Sequence, residues 1–361
     1  MEQLRAEFPV LARVSYLNAG TNGPVPRRAL EAARASLSHQ AEHGRSGADF
    51  FHAILDRMER LRARMAGLLG CDTSELALTG STTDGVNAVL AALDLGRGDE
   101  VLTTVEEHPG ILAPLGMMRE RRGVRVKSVP FAEVAAHVGP ETRLVACSHV
   151  SWVTGAVVDA PALAATSAPV MLDGAQALGA VPVDVHALGC DFYAASGQKW
   201  LCGPNGAGYL YVRADRCRSM PAPWPGYGTV ADSSDPLGSG PQPDARRFDL
   251  GFPGDHDLAW ALASLDVLEE AGLDAVHARA ADLAAGLASD LAGVGVEVAP
   301  RARSTLVSWR TTDPPAEVLR LREQGFVLRD LPGTPYVRAS VGAWSSEEEL
   351  GRLVELASAR V

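Results

Sequence analysis

Between residues 76 and 212, short apolar runs alternate with stretches of helical periodicity, and this alternation restricts the fold more than any other feature of the chain. The runs lie at 76–79, 100–103, 124–129, 143–147, 170–173, 191–195 and 208–212. Strands separated by helical segments build βαβ units, so the region predicts an α/β fold with a mostly parallel sheet. Upstream, periodic segments rich in Ala, Leu and Arg at 27–43 and 50–69 predict two covering helices, the second stopped by Gly70. Downstream, an amphipathic stretch at 257–271 resumes the helical pattern, and 296–361 reads as two or three short strands with helices between. Segment 219–247, rich in Gly, Pro, Ser and Asp, is too long for a passive connection and reads as a functional lid or a disordered loop.

Open α/β sheets keep their ligands at strand ends, and two of these ends carry chemistry. The run at 170–173 ends in Asp173, and the run at 191–195 leads into Ser196-Gly197-Gln198-Lys199-Trp200. A carboxylate there can hold a pyridine nitrogen protonated and make the ring an electron sink, and a lysine can carry an aldehyde as a Schiff base. A pyridoxal phosphate site needs both groups. Either residue alone reads equally as a capping Asp or a solvated Lys; their joint placement points to the cofactor. A third strand end, Gly80-Ser81-Thr82-Thr83-Asp84-Gly85, opens an apolar-periodic stretch. It has the layout for gripping a phosphate at a helix N-terminus, a layout shared with ordinary N-capping turns. No Gly-Lys-Ser/Thr follows it and no G-x-G-x-x-G occurs, so neither a P-loop nor a dinucleotide fingerprint is present.

With 361 residues, 47% of them apolar, the chain can build one large core and a smaller appended domain. A net charge of -11 without a sustained Lys/Arg block argues against nucleic acid or an anionic membrane as partner. A small molecule is the expected ligand. The N-terminus has no apolar leader region and no run of about 18 apolar residues occurs, so a cytoplasmic location is expected. Five cysteines (Cys71, Cys147, Cys190, Cys202, Cys217) form no C-x-x-C pair and describe neither a disulfide framework nor a zinc cage; no metal site is expected.

Asp173-Gly174-Ala175-Gln176 and Ser196-Gly197-Gln198-Lys199-Trp200 resemble the signature of the class V aminotransferase and cysteine desulfurase family, pyridoxal phosphate enzymes of fold type I. Further matches run from Phe8-Pro9 and Tyr16-Leu17-Asn18 to Arg338-Ala339-Ser340. Within the family, His108-Pro109-Gly110-Ile111, Ser148-His149, Trp152, Lys199-Trp200 and the Arg329/Arg338 pair look most like the cysteine and cystine carbon-sulfur lyases. The resemblance implies a large domain built on a mixed, mostly parallel seven-stranded sheet between helices, plus a small C-terminal α+β domain. The implied division is 1–20, packing with the small domain; 21–255, holding the cofactor; and 256–361, entered by the helix near 257–271. A homodimer with active sites near the interface is also implied.

Residue by residue, the resemblance makes Lys199, His108 and Asp173 catalytic. Lys199 carries the cofactor and serves as base, Asp173 meets the pyridine nitrogen, and His108 lies flat against the ring. Ser81, Thr82, Thr83, Ser196 and Gln198 surround the phosphate, while Gln176 and Trp152 lie toward the phenolic oxygen. Arg338 and Arg329 stand near the substrate carboxylate, for which a planar guanidinium is the fitting group. Gly20 and Thr21 open a stretch, 20–24, that has no close motif in the family and is expected, with the 219–247 loop, to shape the substrate side.

Several positions depart from the family pattern. Trp152 replaces an Asn found in many relatives, and an indole has a donor but no amide acceptor. Gln198 replaces the usual His before the lysine and cannot be charged. Gly251-Phe252-Pro253-Gly254 lacks the hydroxyl that relatives present from the neighbouring subunit, so no contact is assigned there. Cysteine desulfurases carry a thiolate between the two arginines, whereas Asp330-Leu331-Pro332-Gly333-Thr334-Pro335 has no cysteine. The expected activity is therefore a pyridoxal phosphate-dependent carbon-sulfur β-lyase. It would act on cystine, cysteine or an S-substituted cysteine and release pyruvate, ammonia and a thiol or persulfide. Transamination and epimerisation, the latter as in the isopenicillin N epimerase branch, stay open as alternatives.

Overall fold

The computed structural model describes residues 1–358, so the last three residues of the unit expected at 256–361 lie outside the described residues. Helix α1 (Glu2–Ala6) and strand β1 (Ser15–Tyr16) precede the helices α2 (Arg27–His43) and α3 (Ala48–Leu69). Gly70 ends α3 in the left-handed region at φ 68°, its N–H donating to the Ala66 and Gly67 carbonyls. The alternating region then runs β2 (Leu76–Thr79), α4 (Thr82–Ala92), β3 (Glu100–Thr104), α5 (Pro109–Arg122), β4 (Arg125–Val129) and β5 (Thr142–Ser148). It continues through α6 (Ala160–Ala164), β6 (Val170–Asp173), α7 (Val185–Leu188), β7 (Phe192–Ser196) and β8 (Gly208–Val212). After it come α8 (Ala214–Ser219), α9 (Asp255–Glu270), α10 (Leu273–Gly293), β9 (Leu306–Arg310) and α11 (Pro314–Glu323). The described chain ends with β10 (Phe326–Val327), β11 (Arg329–Asp330), β12 (Tyr336–Ser340) and α12 (Glu347–Ser358).

All seven predicted runs form one sheet, in the order β2-β8-β7-β6-β5-β3-β4. It is covered on both faces, which explains why its central strands are apolar throughout instead of alternating. Leu172, Tyr193 and Ala195 enter the core on one face, and Met171, Phe192 and Ala194 the core on the other. The pairs β3–β4, β3–β5, β5–β6 and β6–β7 are parallel. Strand β8 is antiparallel to both β7 and β2, so it alone runs against the other six.

A second sheet, β11-β12-β9, is antiparallel, and β10 pairs instead with β1 in parallel. Among its described residues the C-terminal region thus has four short strands where two or three were expected, because Leu328 separates β10 from β11 and each of the two pairs with a different partner. Helix α10 is also additional to the sequence expectation; it buries Val276, Ala280, Ala284, Leu287 and Leu291 at helical spacing. The N-terminal segment reaches the same region through the β1–β10 pair, a bridge from Asn18 to Ser340 and an ion pair from Arg5 to Glu349. Helix α9 packs instead on α2 and α3 of the larger half, where Asp255 bonds Ser36 and Arg57. Segment 219–247 is mostly turns, but it is anchored: the buried Arg247 guanidinium donates to the Cys217 carbonyl at 2.9 Å and the Met220 carbonyl at 2.7 Å.

Candidate active site

Because six strands share one direction, the loops that follow β2, β3, β5, β6 and β7 leave the sheet at the same edge. A cavity of about 340 Å³ lies there, and each of these loops contributes to its wall. Carboxyl-terminal sheet edges are the usual ligand sites of open α/β folds.

The loop after β2 brings Ser81, Thr82 and Thr83 to the cavity at the start of α4. The first turn of a helix has backbone N–H groups without intrahelical acceptors, and the dipole there favours an anion. Ser81 caps the helix: its hydroxyl accepts from the Asp84 N–H at 3.1 Å and donates to the Asp84 carboxylate at 2.9 Å. Thr82 Oγ1 donates to Ser196 Oγ at 3.0 Å, joining α4 to the end of β7.

The loop after β3 carries His108, which caps α5 by accepting the Gly110 N–H on Nδ1 at 3.0 Å. That bond assigns the proton of the neutral ring to Nε2. Burial, reinforced by the positive charges of Lys199, Arg329 and Arg338, pushes His108 down to about 4, so the ring is neutral at physiological pH. Trp152, from the loop after β5, meets it edge to face at 5.0 Å.

Asp173 ends β6, where it pairs in register with Ser148 of β5. It is buried; its Oδ1 accepts the Ala175 N–H at 2.8 Å, and among the described residues no protein donor bonds Oδ2. Burial raises its pKa against the opposing pull of Lys199 and that N–H. Gln176 lines the same wall, but its amide is engaged on both sides, donating to the Gly20 carbonyl at 2.8 Å and accepting from Trp200 Nε1 at 3.2 Å.

Ser196, Gln198 and Lys199 line the cavity from the loop after β7. Lys199 reaches solvent only in part. Burial lowers its amine to about 8; Asp173 pulls the other way, while Arg338 and Arg329 add to the lowering.

The two arginines sit directly opposite each other, because β11 and β12 pair Arg329 with Arg338. Arg329 lines the cavity with its guanidinium over the Trp152 ring at 5.8 Å, and it donates to Thr21 Oγ1 at 3.3 Å. Arg338 is fully buried behind the cavity wall, with Nη1 donating to the Trp152 carbonyl at 2.7 Å and with Nε and Nη2 unpartnered. Burial, then Arg329, lowers its guanidinium to about 9. Trp152 Nε1 and Ser340 Oγ are likewise buried without partners. Gly20 sits among these groups: a methyl there would lie 2.9 Å from Arg338 Nη2 and 2.7 Å from Ser340 Oγ, so only glycine leaves the opening.

The cavity also includes Asn22, Ser148 and Asn205, which the sequence analysis did not assign. Asn205 lies in the Gly203-Pro204-Asn205-Gly206 turn just after the lysine, a signal that could have found it. None of the five cysteines lines the cavity; four are buried and Cys71 is half-buried. Among the described residues no cluster of metal-ligating side chains occurs, and no helix is long and apolar enough to cross a membrane.

The chain matches the aminotransferase class-V family over residues 15–352 and belongs to it. It is 31% identical over 318 residues to a cysteine desulfurase of Enterobacter sp. (strain 638), covering 81% of this chain and 78% of that one. Among solved structures it is similar to the cystine C-S lyase C-DES in complex with its reaction product cysteine persulfide. The TM-score is 0.91 and the identity 29%, covering 97% of this chain and 99% of that one. A lysine-to-alanine variant of C-DES with glycine covalently linked to the PLP cofactor gives a TM-score of 0.93 at 28% identity, with 99% of each chain covered. The chain is thus a fold type I enzyme, and pyridoxal phosphate is its cofactor.

Proposed function

We propose that this enzyme is a carbon-sulfur β-lyase that cleaves cystine, cysteine or an S-substituted cysteine. The observation that carries the reading is a half-buried lysine facing a buried aspartate in a cavity without a thiol. Lys199 and Asp173 share the cavity, and the link from β11 to β12, where a desulfurase would hold its nucleophile, is a short turn closed by Thr334 N–H on the Leu331 carbonyl.

The donor set fits the cofactor. The free Oδ2 of Asp173 suits a protonated pyridine nitrogen, and the start of α4 with Thr82, Thr83, Ser196 and Gln198 suits the phosphate. His108, neutral and carrying its proton on Nε2, suits a face of the ring. Trp152 Nε1 and the second N–H of Gln176 remain for the phenolic oxygen. When bound, pyridoxal phosphate withdraws electrons from the substrate α-carbon, so that the α-proton can leave and the bond from the β-carbon to sulfur can break. Arg329, which lines the cavity, meets the substrate carboxylate, and the unpaired Nε and Nη2 of Arg338, buried just behind the wall beside Gly20, would complete the fork. Lys199 Nζ takes the α-proton, a task its lowered pKa favours near neutral pH. Asp173 keeps the proton on the pyridine nitrogen while this happens.

With cystine, one water is consumed and pyruvate, ammonia and cysteine persulfide leave; the C-DES relative, crystallised with that persulfide, supports this substrate class. The same reading retains the division at 1–20, 21–255 and 256–361, a homodimer and a cytoplasmic location. The test is to load the purified protein with pyridoxal phosphate, add cystine and assay pyruvate and persulfide. Pyruvate formed without a keto acid supports the lyase. Strict dependence on a keto acceptor would replace it with transamination, and inversion of the α-carbon without pyruvate with epimerisation.

A further inference from the structure

Behind the cavity lies a carboxyl group that no motif marks. Glu107 is 4% exposed, and its partners are three neutral donors: Thr104 Oγ1 to Oε1 at 2.6 Å, the Ser148 N–H to Oε1 at 3.0 Å, and Ser148 Oγ to Oε2 at 2.6 Å. Among the described residues no lysine or arginine forms an ion pair with it. The titratable groups that face it are Asp173 on β6 and the Cys147 thiol on β5. A buried carboxyl without a cation costs stability, and an apolar residue of similar volume would pack this corner more cheaply.

Its placement gives a reason for the acid. Glu107 immediately precedes His108, and it binds both polar groups of Ser148, which lines the cavity and stands in register with Asp173. One carboxyl group therefore ties together the ends of β3 and β5 beside the end of β6. A negative charge here acts on Asp173 through a dry interior, where charges are felt more strongly than in water.

We propose that Glu107 is a positioning residue of this site: its charge strengthens the hold of Asp173 on the proton of the pyridine nitrogen, and its bonds to Ser148 fix the strand end beside it. The inference rests on the assignment of Asp173 to that nitrogen. Burial pushes Glu107 up to about 7 although its three hydrogen bonds favour the charged form. The charge is therefore absent well below pH 7 and present above it, and the ring proton is held more firmly as the pH rises through that value.

The experiment compares wild type with Glu107→Gln, both loaded with isotope-labelled pyridoxal phosphate, by following the NMR shift of the pyridine nitrogen against pH. The variant is expected to lose the ring proton at a pH about one unit lower, a roughly tenfold weaker hold. Thr104→Val removes one donor to Glu107 without touching the cavity wall, so it should shift the titration in the same direction by less, and it serves if the Gln variant does not fold. Ring-nitrogen titrations superimposable on wild type in loaded protein would overturn the proposal and leave the Asp173 assignment standing. A ring nitrogen unaffected by Asp173→Asn as well would instead overturn the assignment underneath it.

Discussion

Two buried arginines show how differently this molecule treats the same group. Arg62, 1% exposed, is spent on the fold: it forms a two-bond pair with Asp249 at 2.8 and 3.1 Å, donates to the Leu76 carbonyl at 2.7 Å, and reaches Glu59 through Nε. Asp249 in turn accepts the Leu78 N–H at 2.8 Å, so the pair clamps β2. Arg338, equally buried, uses one bond and leaves Nε and Nη2 idle beside the unpartnered Trp152 Nε1 and Ser340 Oγ. Buried polar groups are almost always bonded in native structures. A cluster of idle donors beside a cavity suits completion by a ligand, as proposed here for Arg338, whereas the completed network of Arg62 is a structural joint. In the proposed reading the contrast divides a substrate-binding arginine from a structural one, although both look alike by burial.

The largest effect expected is at Lys199, the base of the proposed reaction. Lys199→Ala should lower pyruvate formation by about a thousandfold or more and abolish the visible absorbance of lysine-bound cofactor; near-normal turnover would leave the proposed reaction without its base. Breaking the satisfied joint should come next. Asp249→Ala leaves Arg62 with only the half-exposed Glu59 as counter-charge and should cost about 2–4 kcal/mol in denaturant unfolding, with cofactor affinity unchanged in the folded fraction. The idle network should respond in the opposite sense. Arg338→Met should raise KM by about ten- to a hundredfold, as for the loss of charge-assisted bonds, while apoprotein stability is unchanged or rises by up to about 4 kcal/mol. A stability loss as large as that of Asp249→Ala would erase the distinction drawn above.

The smallest effect is a displaced titration. A neutral amine is the reactive form, and Lys199 is lowered to about 8 from the ordinary 10.5. Cofactor uptake by apoprotein should accelerate with rising pH to a midpoint near 8 and then level off. A midpoint near the ordinary lysine value would mean that burial does not tune this group.

Much of the architecture was legible because its signals are local. The strands at 76–79, 170–173 and 208–212 end where the apolar runs end, and Gly70 stops α3 because its left-handed geometry suits glycine. Asp173, Lys199 and the 81–83 turn, which the structure brings to one cavity, were singled out because strand ends are where ligands of open α/β sheets collect. Helix α10 escaped because a long Ala-rich stretch carries weak contrast between its faces, and the two-residue strands β10 and β11 are too short for any period to register. Glu107 escaped for another reason: a glutamate beside a histidine in a loop reads as solvated until Ser148, 41 residues away, is brought against it.

What the sequence determined by itself was the order of strands and helices from 76 to 212, the residues at their ends and the lack of a cysteine between the two arginines, since each depends on neighbours along the chain. Tertiary structure alone decided that β8 runs against the rest, that Arg329 faces Arg338, and that Lys199 shares a cavity with Asp173. It also decided the direction in which His108 and Lys199 are shifted, because burial and the distance between charges move pKa values, and neither exists until the chain has folded.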